Sequence, residues 1–234
     1  MDKSPIDLAQ AFADVARALL AEDDLEATLE RITQLAVETV KGCEHAGVSL
    51  IEGRRIRTPA ASDEVARQVD AIQYEVDEGP CLDAMREHES FKIDDLPAQK
   101  RWPTFCRRAT DEAGVAAMMS YRLFDDEDTM GALNLYSRQA GAFDDEAFAM
   151  GSVFATHAAV ALAGAQNEEE MRRALETRDV IGQAKGILMA QQGVSADQAF
   201  HILRRASQRM NVKLREVAER LASRPLPEDP PGPE

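Results

Sequence analysis

The chain has 234 residues, enough for one large domain or two smaller ones, and a hydrophobic content of 44% that is ordinary for a protein with a buried core. Its net charge of −15 argues against a nucleic-acid partner for the chain as a whole, and three cysteines (Cys43, Cys81, Cys106) are too few and too odd for a disulfide framework. No apolar run approaches the ~20 residues that span a bilayer, and the polar, acid-containing start is no signal peptide, so a cytoplasmic protein with no membrane partner is expected.

Residues 6–20 place Leu8, Phe12, Val15 and Leu19 at helical spacing, and residues 24–40 do the same with Leu25, Leu29, Ile32, Leu35 and Val40. The period then changes. "HAGVSLIEGRRIRTPAAS" reads as two short strands turning at Glu52-Gly53, and a helix is expected from Ser62 to Ile72. "DEGPC" reads as a loop, because Gly79-Pro80 breaks regular structure. "SFKIDDL" predicts a short strand. A helix follows Trp102, with Pro103 in its first turn and Gly114 ending it. "VAAMMSYRLFDD" and "MGALNLYSR" are strands joined by an acidic turn at Asp125 to Asp128. Consecutive strands pairing as hairpins, without a βαβ rhythm, predict an α+β domain: an antiparallel sheet with flanking helices.

Asp144 opens a helical pattern that runs to about Gln192. Ala147, Gly151, Phe154, Ala158, Ala161 and Ala165 alternate spacings of four and three, a heptad-like seam of mostly small residues. It suits a helix packed on its own sheet, or a parallel coiled coil between two subunits, and it can serve both. A homodimer through the 144–175 helix is therefore expected.

Three short helices fit residues 171–223. Gln192-Gly193-Val194 ends the first, and Ser195 and Gln198 have capping-box spacing for the second. Asn211 to Lys213 separates the second from the third. Val180, Ile181, Ala184, Ile187 and Leu188 share a face of the first; Ala199, Ile202, Leu203, Ala206 and Met210 share one of the second; Leu214, Val217, Ala218 and Leu221 turn inward on the third. This bundle is basic. Residues 171–224 hold 11 Lys and Arg against 5 Asp and Glu, whereas residues 1–170 hold 16 against 34. An acidic body thus carries a small basic module, which points to an anionic partner for the module alone. The Pro-rich tail, residues 225–234, is expected to be disordered.

"ALETRDVIGQAKGILMAQQGVSADQAFHILRRASQRMNVKLREVAERL" closely resembles the ANTAR domain, the RNA-binding output module of bacterial antitermination regulators. The resemblance implies a domain over residues 167–224 that binds RNA stem-loops in leader transcripts as a dimer and prevents a terminator hairpin from forming. "DEGPCLDAM", "DDLPAQKRWPTF" and "GALNLYSRQAGAFDDEAFAMGSVFATHAAVAL" resemble a GAF domain. That implies a sensor domain within residues 1–166, together with the N-terminal helices, and a small-molecule ligand under the loop 75–83. The expected walls are Gly79, Cys81, Trp102, Phe105 and Tyr121, all equally explicable as core. Asp77 and Glu78 at the pocket edge argue against an anionic nucleotide.

In the module, Arg178, Lys185 and Gln192 form a stripe seven residues apart, bordered by Gly182 and Met189. Gly182 and Gly186 each cost about 1 kcal/mol against alanine inside a helix. Bare backbone there would let a phosphate or a loop base come close, or would let two protein helices cross closely. Arg204 and Arg205 are expected on RNA. Phe200, the module's one aromatic residue, is expected in the core, which leaves stacking to Arg guanidinium planes.

No enzyme is expected. The four histidines show no metal-ligand spacing, and neither a Walker loop nor G-x-S-x-G occurs, so neither a catalytic residue, a metal nor a cofactor is assigned. The alternative is a thiol-based GAF enzyme or redox sensor using Cys81 and Cys106; against it, free cysteine is usually a small buried residue. A DNA-binding regulator would need a major-groove recognition helix, which no helix-turn-helix spacing supports.

Overall fold

In a computed structural model of the chain, residues 5–52, 55–87, 89–125 and 129–223 are described, with no side-chain description at 5–9, 52, 124–125 and 129–130. The tail 225–234 and the centres of both hairpin turns, Gly53 and residues 126–128, lie outside the described residues. The chain divides into two compact units, Met1–Asn167 and Glu168–Glu234.

The first unit is built on five antiparallel strands: β1 His45–Glu52, β2 Arg55–Ala61, β3 Phe91–Ile93, β4 Ala117–Asp125 and β5 Thr129–Ser137, in the order β2-β1-β5-β4-β3. Strand alternation sorts side chains onto two faces. Ala46, Val48 and Leu50, with Met119, Tyr121, Leu133 and Leu135, pack on one face with α1 (Pro5–Leu20), α2 (Leu25–Thr39) and the start of α6 (Asp145–Gln192). Ser49, Met118, Ser120, Asn134 and Tyr136 face the other way, toward α3 (Glu64–Val76), α4 (Pro80–Glu87) and α5 (Pro103–Ala113). Asp24 and Asp63 N-cap α2 and α3 through Ala27 N and Ala66 N, at 2.8 and 3.1 Å.

The expected loop 75–83 is mostly helical. α3 continues to Val76, Asp77 closes it in the left-handed region at φ 52°, Gly79 takes φ 141°, and α4 begins at once on Pro80. Pro80 breaks nothing there: its ring fits a first helical turn, where its missing N–H has no intrahelical partner anyway. The acids beside it have structural partners. Glu78 accepts from Thr104 N at 2.9 Å, Thr104 Oγ1 at 3.0 Å and Phe105 N at 3.2 Å, so it caps α5, whose own N-cap Trp102 supplies no side-chain bond. Asp77 pairs with Arg86 at 2.5 Å. Both anchor helix ends.

By length and composition α6 could cross a membrane. One apolar face of it packs on the sheet in the first unit: Phe154, Ala158 and Leu162 are fully buried. So are most of the seam residues, Ala147 and Gly151 included. Over 147–161 the seam is core of its own domain, and its small residues let the helix lie close to β4.

Candidate functional site

The second unit comprises the end of α6, α7 (Ala196–Met210) and α8 (Leu214–Ala222) around Ala184, Leu188, Ala199, Leu203, Val217 and Ala218. Ser195 closes a full capping box: its Oγ accepts from Gln198 N at 3.3 Å, and Gln198 Oε1 accepts from Ser195 N at 2.9 Å. Asn211 ends α7 in the left-handed region. Met210, expected inside, is 47% exposed in that last turn.

Arg178, Gly182 and Lys185, spaced i, i+4 and i+7 on α6, line one open groove of about 690 Å³ together with Phe200 of α7. Phe200 is therefore not the core residue expected. It stands outside the buried cluster and is only half-buried. A Cβ at Gly182 or at Gly186 would meet nothing within 4 Å, so neither glycine serves a helix crossing within the unit. Gly186 faces a separate hollow with Gln191 and Ala222. Met189, Arg204 and Arg205 are exposed but do not line the Arg178 groove.

The cations of this unit fall into two groups. Arg172 and Arg173 pair with Glu169, and Arg215 pairs with Glu176 and Glu219. Arg178, Lys185, Arg204, Arg205, Arg209, Lys213 and Arg220 have no carboxylate partner among the described residues. Paired arginines serve the fold; unpaired ones leave positive potential for a ligand.

In the first unit the expected pocket walls do not converge. Trp102 and Phe105 share one cluster, Cys81 belongs to a neighbouring one, and Tyr121 lies on the opposite face of the sheet; all four are buried. Gly79 lies against the Gln73 side chain, whose Oε1 accepts from Cys81 N at 2.9 Å. Between sheet and α3 runs a buried polar web that no local pattern in the sequence announces. Asp70 accepts from Tyr136, from Asn134 Nδ2 at 2.9 Å and from Thr58 Oγ1 at 2.8 Å. Asn134 also bridges Ser49 at 2.9 Å and Ser120 at 2.7 Å, and Tyr74 reaches Ser49 and Thr58 at 2.6 and 2.8 Å. Gly47 makes the space, since a Cβ there would lie 2.6 Å from Asp70 Oδ2. Burial raises the Asp70 carboxyl to about 6 despite these donors. The thiols are also buried, which pushes Cys43 and Cys81 up to about 12 and Cys106 up to about 11. Thiolate, the nucleophilic form, is thus disfavoured at all three.

A family model for the GAF domain matches residues 22–163, and one for the ANTAR domain matches residues 169–221. No curated protein matches the sequence. Among solved structures, the GAF domain of a phosphoenolpyruvate-protein phosphotransferase from Coxiella burnetii is 14% identical with a TM-score of 0.55, over 72% of this chain and 99% of that one. A free methionine-R-sulfoxide reductase from Neisseria meningitidis is 12% identical at TM-score 0.55, over 72% and 95%. A bacteriophytochrome from R. palustris is 12% identical at TM-score 0.59, over 86% of this chain and 47% of that one. At such identities the likeness is one of fold alone.

Proposed function

From its membership of the GAF family and the ANTAR domain that follows, joining a signal-sensing type of domain to an RNA-binding antitermination module, we propose that this chain is a cytoplasmic, non-enzymatic regulator that binds stem-loops in leader RNA and prevents termination. We divide it into a sensor domain over residues 1–166 and an RNA-binding domain over 167–224. The carrying observation is the groove that gathers Arg178, Gly182 and Lys185, with neither cation in an ion pair among the described residues although Asp179 shares the lining. Gly186, Met189, Arg204 and Arg205 extend the contact surface around it.

The three buried, high-pKa thiols support a regulator over a thiol enzyme. The ligand of the sensor domain, if it enters beside Gly79, Cys81, Trp102 and Phe105, has to open the packing that now fills that region. Dimerisation through the 144–175 helix remains part of the proposal, on different residues from the small-residue seam: Val153, Val160, Met171 and Leu175 are exposed on α6, at 41, 67, 60 and 54%.

The test is to crosslink the full chain to RNA in cells and sequence what is bound. Enrichment of leader-transcript hairpins that Lys185→Ala abolishes supports the reading. Recovery no different from an unrelated acidic protein refutes it.

A further inference from the structure

Phosphate contacts alone leave part of the groove unexplained. Much of its lining is apolar: it includes Ala174, Ile181 and Phe200, and Gly182 presents bare backbone. Phe200 is held half out of the core although the buried cluster of α7, Ala199 and Leu203, lies immediately beside it. Arg178 and Lys185 flank Gly182 on α6; Asp179, Thr177 and Gln183 share the lining, and Arg204, one turn beyond Phe200 on α7, lies outside it.

We propose that the groove takes one unpaired nucleobase of an RNA loop, stacked on the Phe200 ring over the Gly182 backbone, with Arg178 and Lys185 on the flanking phosphates. The inference rests on the RNA-binding reading above and adds the occupant of the slot. An apolar patch flanked by two cations complements a flat π-system tethered to phosphates. An apolar protein side chain would fill the interior and leave the cations without counter-charge. Duplex RNA keeps its bases stacked inside, so the occupant comes from a loop, where bases are splayed out. Gly182 follows from the same geometry: a methyl group would stand in open space now, and against the base once it is bound.

The test uses the full chain and a pool of RNA hairpins with a fully randomised loop, from which binders are selected on the wild-type protein. The selected hairpin is then titrated against wild type, Phe200→Leu, Phe200→Tyr and Lys185→Ala, with each loop position in turn made abasic. Phe200→Leu is expected to weaken binding about 5- to 150-fold, the range for losing one base–aromatic stack, while Phe200→Tyr retains it. One abasic position should produce the same loss, and combining it with Phe200→Leu should add nothing. Unchanged thermal melting of the Leu variant confirms an intact bundle. If Lys185→Ala weakens binding but Phe200→Leu does not, or if no abasic position is coupled to Phe200, the slot is empty of base and the proposal fails while RNA binding stands. If the pool yields no binder, the RNA-binding reading itself fails, and this inference with it.

Discussion

Gly151 of α6 lies against the Tyr121 ring of β4 so closely that a Cβ would overlap the phenol oxygen, which itself donates to the Phe148 carbonyl at 2.9 Å. The helix can reach that carbonyl to the tyrosine only because residue 151 has no side chain. Gly151→Ala is therefore expected to destabilise the first unit by about 1–3 kcal/mol, the usual cost of overpacking. Denaturant unfolding followed by the fluorescence of Trp102, the only tryptophan in the chain, reads it. Wild-type stability would show that the helix is not seated there.

The same seating separates fold from assembly. Ala158→Glu, at a fully buried position, should unfold the first unit, whereas Val160→Glu, at a site 67% exposed, should leave it folded. If α6 forms a dimer through its exposed side chains, light scattering finds Val160→Glu monomeric at concentrations where wild type is dimeric. A wild type that is monomeric at high micromolar concentration, with and without RNA, rejects the dimer.

Gly182→Ala and Gly186→Ala are expected to stabilise the second unit by about 1 kcal/mol each, because each adds a better helix former where nothing obstructs a methyl. Gly182→Ala should weaken RNA binding even so; Gly186→Ala, facing the other hollow, should do so less. Stability by circular dichroism and affinity by titration would then move in opposite directions. Parallel gains in both would show that bare backbone has no role in binding.

These positions show how far the sequence could be read. The strands, the capping box at Ser195 and the extent of α6 rest on periodicity and local chemistry, and all are visible in one dimension. α4 is hidden in the sequence because Gly79-Pro80 suggests a break, although a proline also suits the first turn of a helix. A lone aromatic such as Phe200 suggests a core position. The better signal was local: Ala199, Leu203 and Ala206 already define the inward face of α7, and Phe200 falls beside it, in line with Arg204. The polar web had no such signal. Ser49, Thr58, Asp70, Ser120, Asn134 and Tyr136 come together only when the sheet and α3 pair, and each alone reads as an ordinary polar or amphipathic position.

Arg178→Ala and Lys185→Ala should each weaken RNA binding and flatten the slope of log affinity against log salt by about 0.7–0.9, the loss of one phosphate contact. Arg172→Ala, which removes a partner of Glu169 and Glu176 outside the groove, should leave the slope nearly unchanged. Equal slopes for all three variants would mean that the groove has no special claim on phosphate.

The last expectation concerns Asp70, whose carboxyl is raised by burial from 3.8 to about 6. A raised pKa means that the folded state prefers the protonated acid. Below pH ~3.8 both states are protonated and the contribution to stability is complete. Between there and about pH 6 the unfolded chain gives up the proton while the folded unit keeps it, so the contribution falls. It levels off once both are ionised, after a loss of about 3 kcal/mol. Carboxylates with lowered pKa, such as Asp63 beside His45, give a slope of the opposite sign, so the total pH profile hides the effect. The difference between wild type and Asp70→Asn isolates it, because asparagine has no proton to release. Measured by Trp102 fluorescence, wild-type stability relative to the variant should decline steadily from pH 4 to about pH 6 and then hold constant. A difference that stays flat across that window would mean that Asp70 ionises in the folded unit as it does in the unfolded chain, and that the Tyr136, Asn134 and Thr58 donors offset its burial completely.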